Sequence, residues 1–394
     1  MRMDKAADMI RSFYAALSDG DRDKLDVLLH PEFTGRLADG MPFGGGLHEG
    51  PQAMRRNGWG AIARHFEASA RPDTIVDLAD GRTLVTGRYH GRGRQSGAAL
   101  DANFAHVFGF EGERICSIEQ FTDTARWREA AGPLRTVTVG IANGIATLRL
   151  NRPEHGNAIN PDMADDLAEA ATQIAENASV RAVLIASNGP KFTVGGDIDV
   201  FVNTERAHLP HSLRRMIDSF HLAIERLTSI DAPVVAAVKG GAGGGGLGLL
   251  YSADIVVAAD DARFAVGYAA LGLTADGGNT WFLPRMVGLR MAQKLFLLNR
   301  PLSAQEALEA GIVSQLAAAD AVEAEAIALA TKLAAGPTRA FGAMRRMLRQ
   351  SFETGLSDQL NAEKNSIIVA SQSDDVQEGI SAFVARRQPQ FRGY

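Results

Sequence analysis

Two glycine-rich turns, each set between apolar segments, limit the folds open to this chain more than any other feature. The first, Lys191-Phe192-Thr193-Val194-Gly195-Gly196-Asp197-Ile198, follows the buried-strand signature Ala182-Val183-Leu184-Ile185-Ala186. The second, Lys239-Gly240-Gly241-Ala242-Gly243-Gly244-Gly245-Gly246-Leu247-Gly248-Leu249, follows Val234-Val235-Ala236-Ala237-Val238. Each reads as strand, glycine turn and apolar helix, so each leaves backbone N–H groups free at a helix N-terminus. Glycine lets a ligand oxygen approach the backbone closely, and the helix dipole favours negative charge there. One such loop alone is also explained by tight helix–strand packing. Neither fits a phosphate loop, because no Gly-Lys-Ser/Thr closes it, and the dinucleotide pattern lacks its acidic partner.

The flanking sequence supplies a frame for these turns. Residues 137–139 and 145–150 pair as a hairpin about Asn143-Gly144. Helical patterns at 161–177 and 213–227 then alternate with strands at 182–186, 234–238 and 255–258, which predicts stacked βαβ units. The first third differs. Met9, Ile10, Phe13, Ala16 and Leu17 follow helical spacing up to Gly20. Alternating stretches at 82–88, 103–110 and 114–121, the last two joined by a turn at 111–113, predict an antiparallel sheet. A chain of 394 residues suits two domains, and Ala130-Ala131-Gly132-Pro133 is the natural linker, giving domains at 1–130 and 133–394.

A net charge of −5 gives no electrostatic reason to expect nucleic acid or a membrane surface as partner. No stretch approaches the roughly 18 consecutive apolar residues of a membrane span, and the first residues lack a signal-peptide apolar run. The single cysteine, Cys116, excludes an intrachain disulfide and suits a reducing compartment, so a cytoplasmic protein is expected. No metal site is expected, because His30, His48, His65, His90 and His106 lie apart without ligand spacing.

Phe13-Tyr14-Ala15-Ala16-Leu17, Gly20-Asp21, Gly44-Gly45-Gly46 and Glu119-Gln120-Phe121-Thr122-Asp123-Thr124 resemble the SnoaL-like branch of the NTF2-like superfamily, over about residues 4–127. The resemblance implies an α+β cone around an apolar pocket, and often a dimer. Ketosteroid isomerases in that superfamily use a Tyr, a base Asp and a protonated Asp. Those positions fall on Phe13, near Arg36 to Ala38, and near His106, so none matches, although Tyr14 and Asp39 are close by. Binding or scaffolding is therefore expected of this domain, with His106 as a cone-lining histidine.

Together the two glycine turns look like the crotonase (enoyl-CoA hydratase/isomerase) superfamily, and the likeness runs over about 134–394. Leu150-Asn151-Arg152-Pro153, Asn157-Ala158-Ile159-Asn160, Ala253-Asp254-Ile255, Leu283-Pro284-Arg285-Met286-Val287-Gly288 and Ala307-Leu308-Glu309-Ala310-Gly311-Ile312-Val313 extend it in order. The resemblance implies an α/β spiral of ββα units with a C-terminal helical region, assembled as a trimer or dimer of trimers. It implies an acyl-CoA thioester as substrate and partner, with no separate cofactor. The thioester oxygen would lie in an oxyanion hole of the Gly196 and Gly245 amides, flanked by Val194, Gly195, Asp197 and Gly244. Such a pair stabilises an enolate or a tetrahedral adduct alike, so it implies the substrate class and not the reaction.

Hydratases of the superfamily carry two glutamates, whose positions here are Gly248 and Tyr268. The acid that remains is Asp276, in Gly272-Leu273-Thr274-Ala275-Asp276-Gly277-Gly278, which resembles the isomerase branch and its ring-epoxide isomerases. One carboxylate suffices to carry a proton between two carbons. The dehalogenase branch is also similar, with Asp276 as nucleophile and His221, twelve residues before Pro233, as base, but its tryptophan is replaced by Tyr268. Tyr268 is expected to stack on an acyl group, donate a hydrogen bond or form the pocket wall. Asp197 is expected to cap the following helix. Residues 383–387 either touch coenzyme A or form a solvated basic face. Three readings stand: an enoyl-CoA isomerase, hydrolytic or addition chemistry through Asp276 and His221, and a catalytically inert acyl-CoA-binding protein.

Overall fold

The computed structural model describes residues 3–393, and the chain divides into two compact units that part between Pro133 and Leu134. The first is α+β. Its helix Met3–Asp19 lays Ile10, Phe13, Tyr14 and Ala16 against Phe33, Val85, Phe104 and Phe108 of the sheet. Asp21 caps the short helix Arg22–Leu28, accepting a hydrogen bond from the Lys24 amide at 3.0 Å.

Six strands make the sheet, in the order Gly46–Glu49, Leu29–Leu37, Arg114–Thr122, Ala99–Glu111, Thr83–Gly93 and Phe66–Asp77. All neighbours run antiparallel except Leu29–Leu37 beside Arg114–Thr122. Along Ala99–Glu111 every second side chain from Leu100 to Phe108 is buried, so this strand turns one face to the interior. Three of the six strands were expected from alternation. Leu29–Leu37, Gly46–Glu49 and Phe66–Asp77 were not, because Pro31, Pro72 and runs of exposed residues mask their period.

The second unit is built on a sheet ordered Gln315–Ala317, Ile255–Ala259, Val234–Val238, Ala182–Ser187, Ile145–Leu150 and Val137–Ala142. Only the terminal hairpin is antiparallel. Ala182–Ser187 and Val234–Val238 are buried at every residue, as parallel strands covered on both faces must be. A second layer stacks on the ends of these strands. Ile159 bridges Gly196, Thr193 bridges Ala242, and Gly241–Gly243 pairs in parallel with Arg263–Ala265. Each strand thus feeds a turn lying on the turn before it, which is the spiral of repeated units that the sequence led us to expect.

Helices Val322–Ala334, Thr338–Gln350, Leu356–Ala370 and Asp374–Ala385 form the C-terminal helical region. Arg345, buried in Thr338–Gln350, ties it to the spiral. Its guanidinium donates to the carbonyls of Leu227, Ile230 and Ala232 at the end of the helix Leu209–Ser229, and lies 2.7 Å from the Asp254 carboxylate. A cation there answers the helix dipole and three carbonyls left open at the C-terminus. No helix among the described residues is long and apolar enough to cross a membrane. Arg345→Met should remove about 1–3 kcal/mol of stability, read by denaturant unfolding, since it leaves buried carbonyls without their donor while Asp254 keeps Arg349 and the Val234 amide.

Candidate active site

The stacked turns open onto a cavity of about 670 Å³ lined by Val194, Gly196, Asp197, Gly244, Gly245, Tyr268 and Asp276 among others. Gly195 is needed where the turns meet. Its φ is +93°, and a Cβ there would stand 2.6 Å from the Gly243 carbonyl oxygen. The neighbouring amides are engaged: Val194 N donates to Gly156 O, Gly195 N to Thr193 Oγ1, Asp197 N to Ile159 O, and Gly244 N to Ala265 O. Among the described residues the N–H groups of Gly196 and Gly245 have no protein acceptor. Gly196 and Gly245, whose amides have no protein acceptor among the described residues, thus line one cavity from different turns.

Asp276 reaches the same place from the next loop. A Cβ on Gly245 would lie 2.8 Å from Asp276 Oδ1, so the carboxylate rests directly over that glycine. Tyr268 donates to Asp276 Oδ1 at 2.7 Å. Burial, and then the Asp276 charge, push the Tyr268 phenol well above its ordinary pKa, so it remains a neutral donor. Asp276 Oδ2 has no protein partner among the described residues. The site thus combines two backbone donors and one carboxylate oxygen with a free lone pair.

His221 lies elsewhere. It does not line the cavity, and its Nε2 accepts a hydrogen bond from the Gly277 amide at 3.0 Å. That bond places the ring proton on Nδ1 and occupies the lone pair a base would need. The histidine buttresses the Asp276 turn from behind. Asp197 caps the helix Ile198–Asn203 through the Asp199 amide and pairs with Arg152 at 2.9 Å, so both carboxylate oxygens have structural partners. In the tail, Glu378 holds the Arg387 guanidinium at 2.6 and 2.7 Å.

Gly248, where a hydratase glutamate would stand, is sterically closed. A Cβ there would meet Gly277 O at 2.0 Å and Ile224 Cδ1 at 2.9 Å. Two contributors escaped the sequence reading. Asn279, fully buried, donates from Nδ2 toward Tyr268 Oη at 3.0 Å and the Asp276 carbonyl at 2.8 Å, so it fixes both residues. Arg152 fixes Asp197. Its place in Leu-Asn-Arg-Pro was visible, but no partner was.

In the N-terminal unit the residues compared with ketosteroid isomerases separate. Phe13 is core, edge-on to Trp59 and Phe108 at 5.4 Å. Asp39 is exposed and pairs with Arg36 at 3.2 Å. Tyr14 and His106 meet in the interior, with Tyr14 Oη 2.7 Å from His106 Nδ1. His106 is more than a wall residue, because both its ring nitrogens are hydrogen-bonded.

Two outcomes follow from these contacts. Gly248→Ala should cost about 1–3 kcal/mol of stability by forcing the Gly277 backbone aside, whereas Gly196→Ala, with its nearest neighbour Phe201 at 3.6 Å, should melt near wild type. Burial lowers the His106 pKa to about 3 from an ordinary 6.5. Below pH 6.5 the unfolded chain therefore binds a proton that the folded chain refuses, and stability falls as pH drops toward 3. His106→Asn should flatten that slope in melts followed by Trp59 and Trp127 emission.

Comparison with known proteins agrees with this geometry. Residues 140–394 match the enoyl-CoA hydratase/isomerase family and residues 10–118 match a SnoaL-like domain. The chain is 35% identical over 254 residues to 1,2-epoxyphenylacetyl-CoA isomerase of Escherichia coli (strain K12), a span covering 64% of this chain and 97% of that protein. It is 32% identical over 249 residues to 2,3-dehydroadipyl-CoA hydratase of the same organism, covering 63% and 95%. An enoyl-CoA hydratase from Polaromonas sp. JS666 superposes with a TM-score of 0.62 at 30% identity, over 65% of this chain and 99% of that one. With the stacked turns, the spiral and the family match in agreement, the chain belongs to the enoyl-CoA hydratase/isomerase family of acyl-CoA-processing proteins, joined to a SnoaL-like domain.

Proposed function

We propose that the second unit is an enoyl-CoA isomerase that moves a carbon–carbon double bond within an acyl-CoA thioester. In this reading the thioester oxygen accepts hydrogen bonds from the Gly196 and Gly245 amides. Asp276 Oδ2 takes a proton from C2 of a 3-enoyl group, leaving an enolate whose charge the two amides hold. The same oxygen returns the proton to C4, which gives the 2-enoyl thioester, and Asp276 ends as it began. Tyr268 and Asn279 keep the carboxylate in place throughout. The observation that carries this reading is the Asp276 carboxylate lying over Gly245, its Oδ1 held by Tyr268 and its Oδ2 without a protein partner among the described residues.

Hydration by a pair of glutamates is disfavoured by the closed slot at Gly248 and by the phenol of Tyr268 at the second position. Ester hydrolysis through His221 is disfavoured because Nε2 is already an acceptor for Gly277. The name of the E. coli isomerase favours isomerisation over hydration, while the E. coli hydratase keeps water addition as the competing outcome. Exposed Ile367, Ile368, Val369, Phe383 and Val384 on the C-terminal helices favour self-association, and the homotrimer or dimer of trimers is what the family resemblance implies. We place its action in the cytoplasm, in keeping with a CoA-linked substrate and one cysteine, Cys116.

With a 3-enoyl-CoA as substrate, Asp276→Asn should lower kcat by about 10²–10⁴-fold with little change in binding, and the product should gain no oxygen from labelled water. Full activity in that variant would overturn the assignment of Asp276. Labelled oxygen in the wild-type product would overturn isomerisation itself.

A further inference from the structure

The loop that presents Asp276 has little backbone support of its own. Among the described residues, no backbone–backbone hydrogen bond ties residues 274–277 to anything but the helix that follows, Asn279–Val287, whose Asn279 amide donates to Asp276 O at 3.1 Å. Gly277 and Gly278 come next to the acid, with φ of +60° and +72°, and glycine moves freely between regions of φ that other residues avoid. Backbone sterics therefore do not fix where the carboxylate points. Side chains must.

Tyr268 and Asn279 bind Asp276 from within the same stretch of chain, eight residues before it and three after, so they travel with the loop. Two polar contacts reach outward. Asn279 Nδ2 stands 3.4 Å from Gly244 O, and the Gly277 N–H donates to His221 Nε2 at 3.0 Å. The histidine bond is the shorter, and it ties the loop to a distant element, the helix Leu209–Ser229. That helix is itself anchored. Buried Asp165 of the helix Pro161–Glu176 accepts from Ser219 Oγ at 2.5 Å and from Arg215 Nη2 at 2.6 Å. One residue before His221 and three after it, Phe220 and Ile224 pack beside Gly277 and Gly248. A neutral imidazole nitrogen suits this place, because a carboxylate at 221 would accept the same N–H but oppose the charge of Asp276.

We propose that His221 is a positioning residue of the isomerase site: by accepting the Gly277 N–H it fastens the Asp276 loop to the helix pair and so aims the carboxylate over Gly245. The inference rests on the reading of Asp276 as the proton carrier. His221 does not line the cavity, so its removal leaves the binding surface in place and acts on proton transfer. Displacing a reacting group by roughly 1 Å costs up to about 10²-fold in rate, which sets the scale of the effect.

The test assays the full chain with 3-hexenoyl-CoA in His221→Leu, His221→Gln and Asp276→Asn. His221→Leu should lower kcat by about 10- to 10²-fold while KM stays within about twofold. His221→Gln should recover kcat to within about threefold of wild type, since its amide oxygen lies as many bonds from Cα as Nε2 and accepts the same N–H. In wild-type protein with isotope-labelled histidine nitrogens, solid-state NMR should show the His221 ring, assigned by its loss in His221→Gln, with its proton on Nδ1. Unchanged kcat in His221→Leu, no recovery in His221→Gln, a rise in KM alone, or a proton on Nε2 would each overturn the proposal. The tautomer result stands alone if His221→Leu does not fold. Loss of activity in Asp276→Asn beside full activity in His221→Leu would remove the positioning role and keep the isomerase reading. Full activity in Asp276→Asn would overturn that reading and this proposal with it.

Discussion

Parallel pairing between successive turns is the constraint on which the second unit depends. A parallel bridge uses the amide and carbonyl of one residue and those flanking its partner. In the Ile159–Gly196 bridge the Ile159 amide donates to Gly195 O, and the Asp197 amide donates to Ile159 O. The Gly196 amide is thereby left outside the ladder. The same stacking brings Gly195 so close to Gly243 that a side chain at Gly195 would strike the Gly243 carbonyl oxygen. Free amides and absent side chains thus have one cause, the pitch of the spiral.

Around Asp276 three side chains hold the turn. Tyr268 holds one carboxylate oxygen, Asn279 holds Tyr268 and the Asp276 carbonyl, and His221 holds the next amide in the chain. Each partner comes from a different element, so the turn cannot shift without breaking several bonds at once. Gly277 pays a second role, because its carbonyl fills the space beside Gly248 while its amide binds His221. The turn that presents Asp276 is therefore the same one that shuts the neighbouring slot to a larger side chain.

Much of this was legible in the residues. Continuous apolar runs at 182–186 and 234–238 read as strands covered on both faces, and the two glycine segments after them, taken together, read as close-approach turns. The sequence also placed Asp276 and Tyr268 near those turns through their resemblance to a family pattern. What escaped it were long-range partners of ordinary residue types. His221 and Gly277 are 56 residues apart, and Arg152 and Asp197 are 45 apart. No local period encodes such a pair. The N-terminal strands that escaped notice fail for a different reason: Phe66–Asp77 lies at a sheet edge with most side chains exposed, and Pro72 interrupts it at a bulge.

The two cavities solve different electrostatic problems. Negative charge that develops on an oxygen during a reaction needs several donors fixed in advance, because donors that must reorient give back part of what they contribute. In the proposed reaction, backbone amides held by a spiral meet that requirement, and the carboxylate beside them moves the proton that creates the charge. The cavity of the N-terminal unit, of about 420 Å³, has the opposite makeup. Its imidazole is held neutral by burial, and the charged residues of its wall, Asp19, Glu67 and Arg94, are exposed. In the proposed reaction the fixed amides of the second unit therefore stabilise a molecule while it changes.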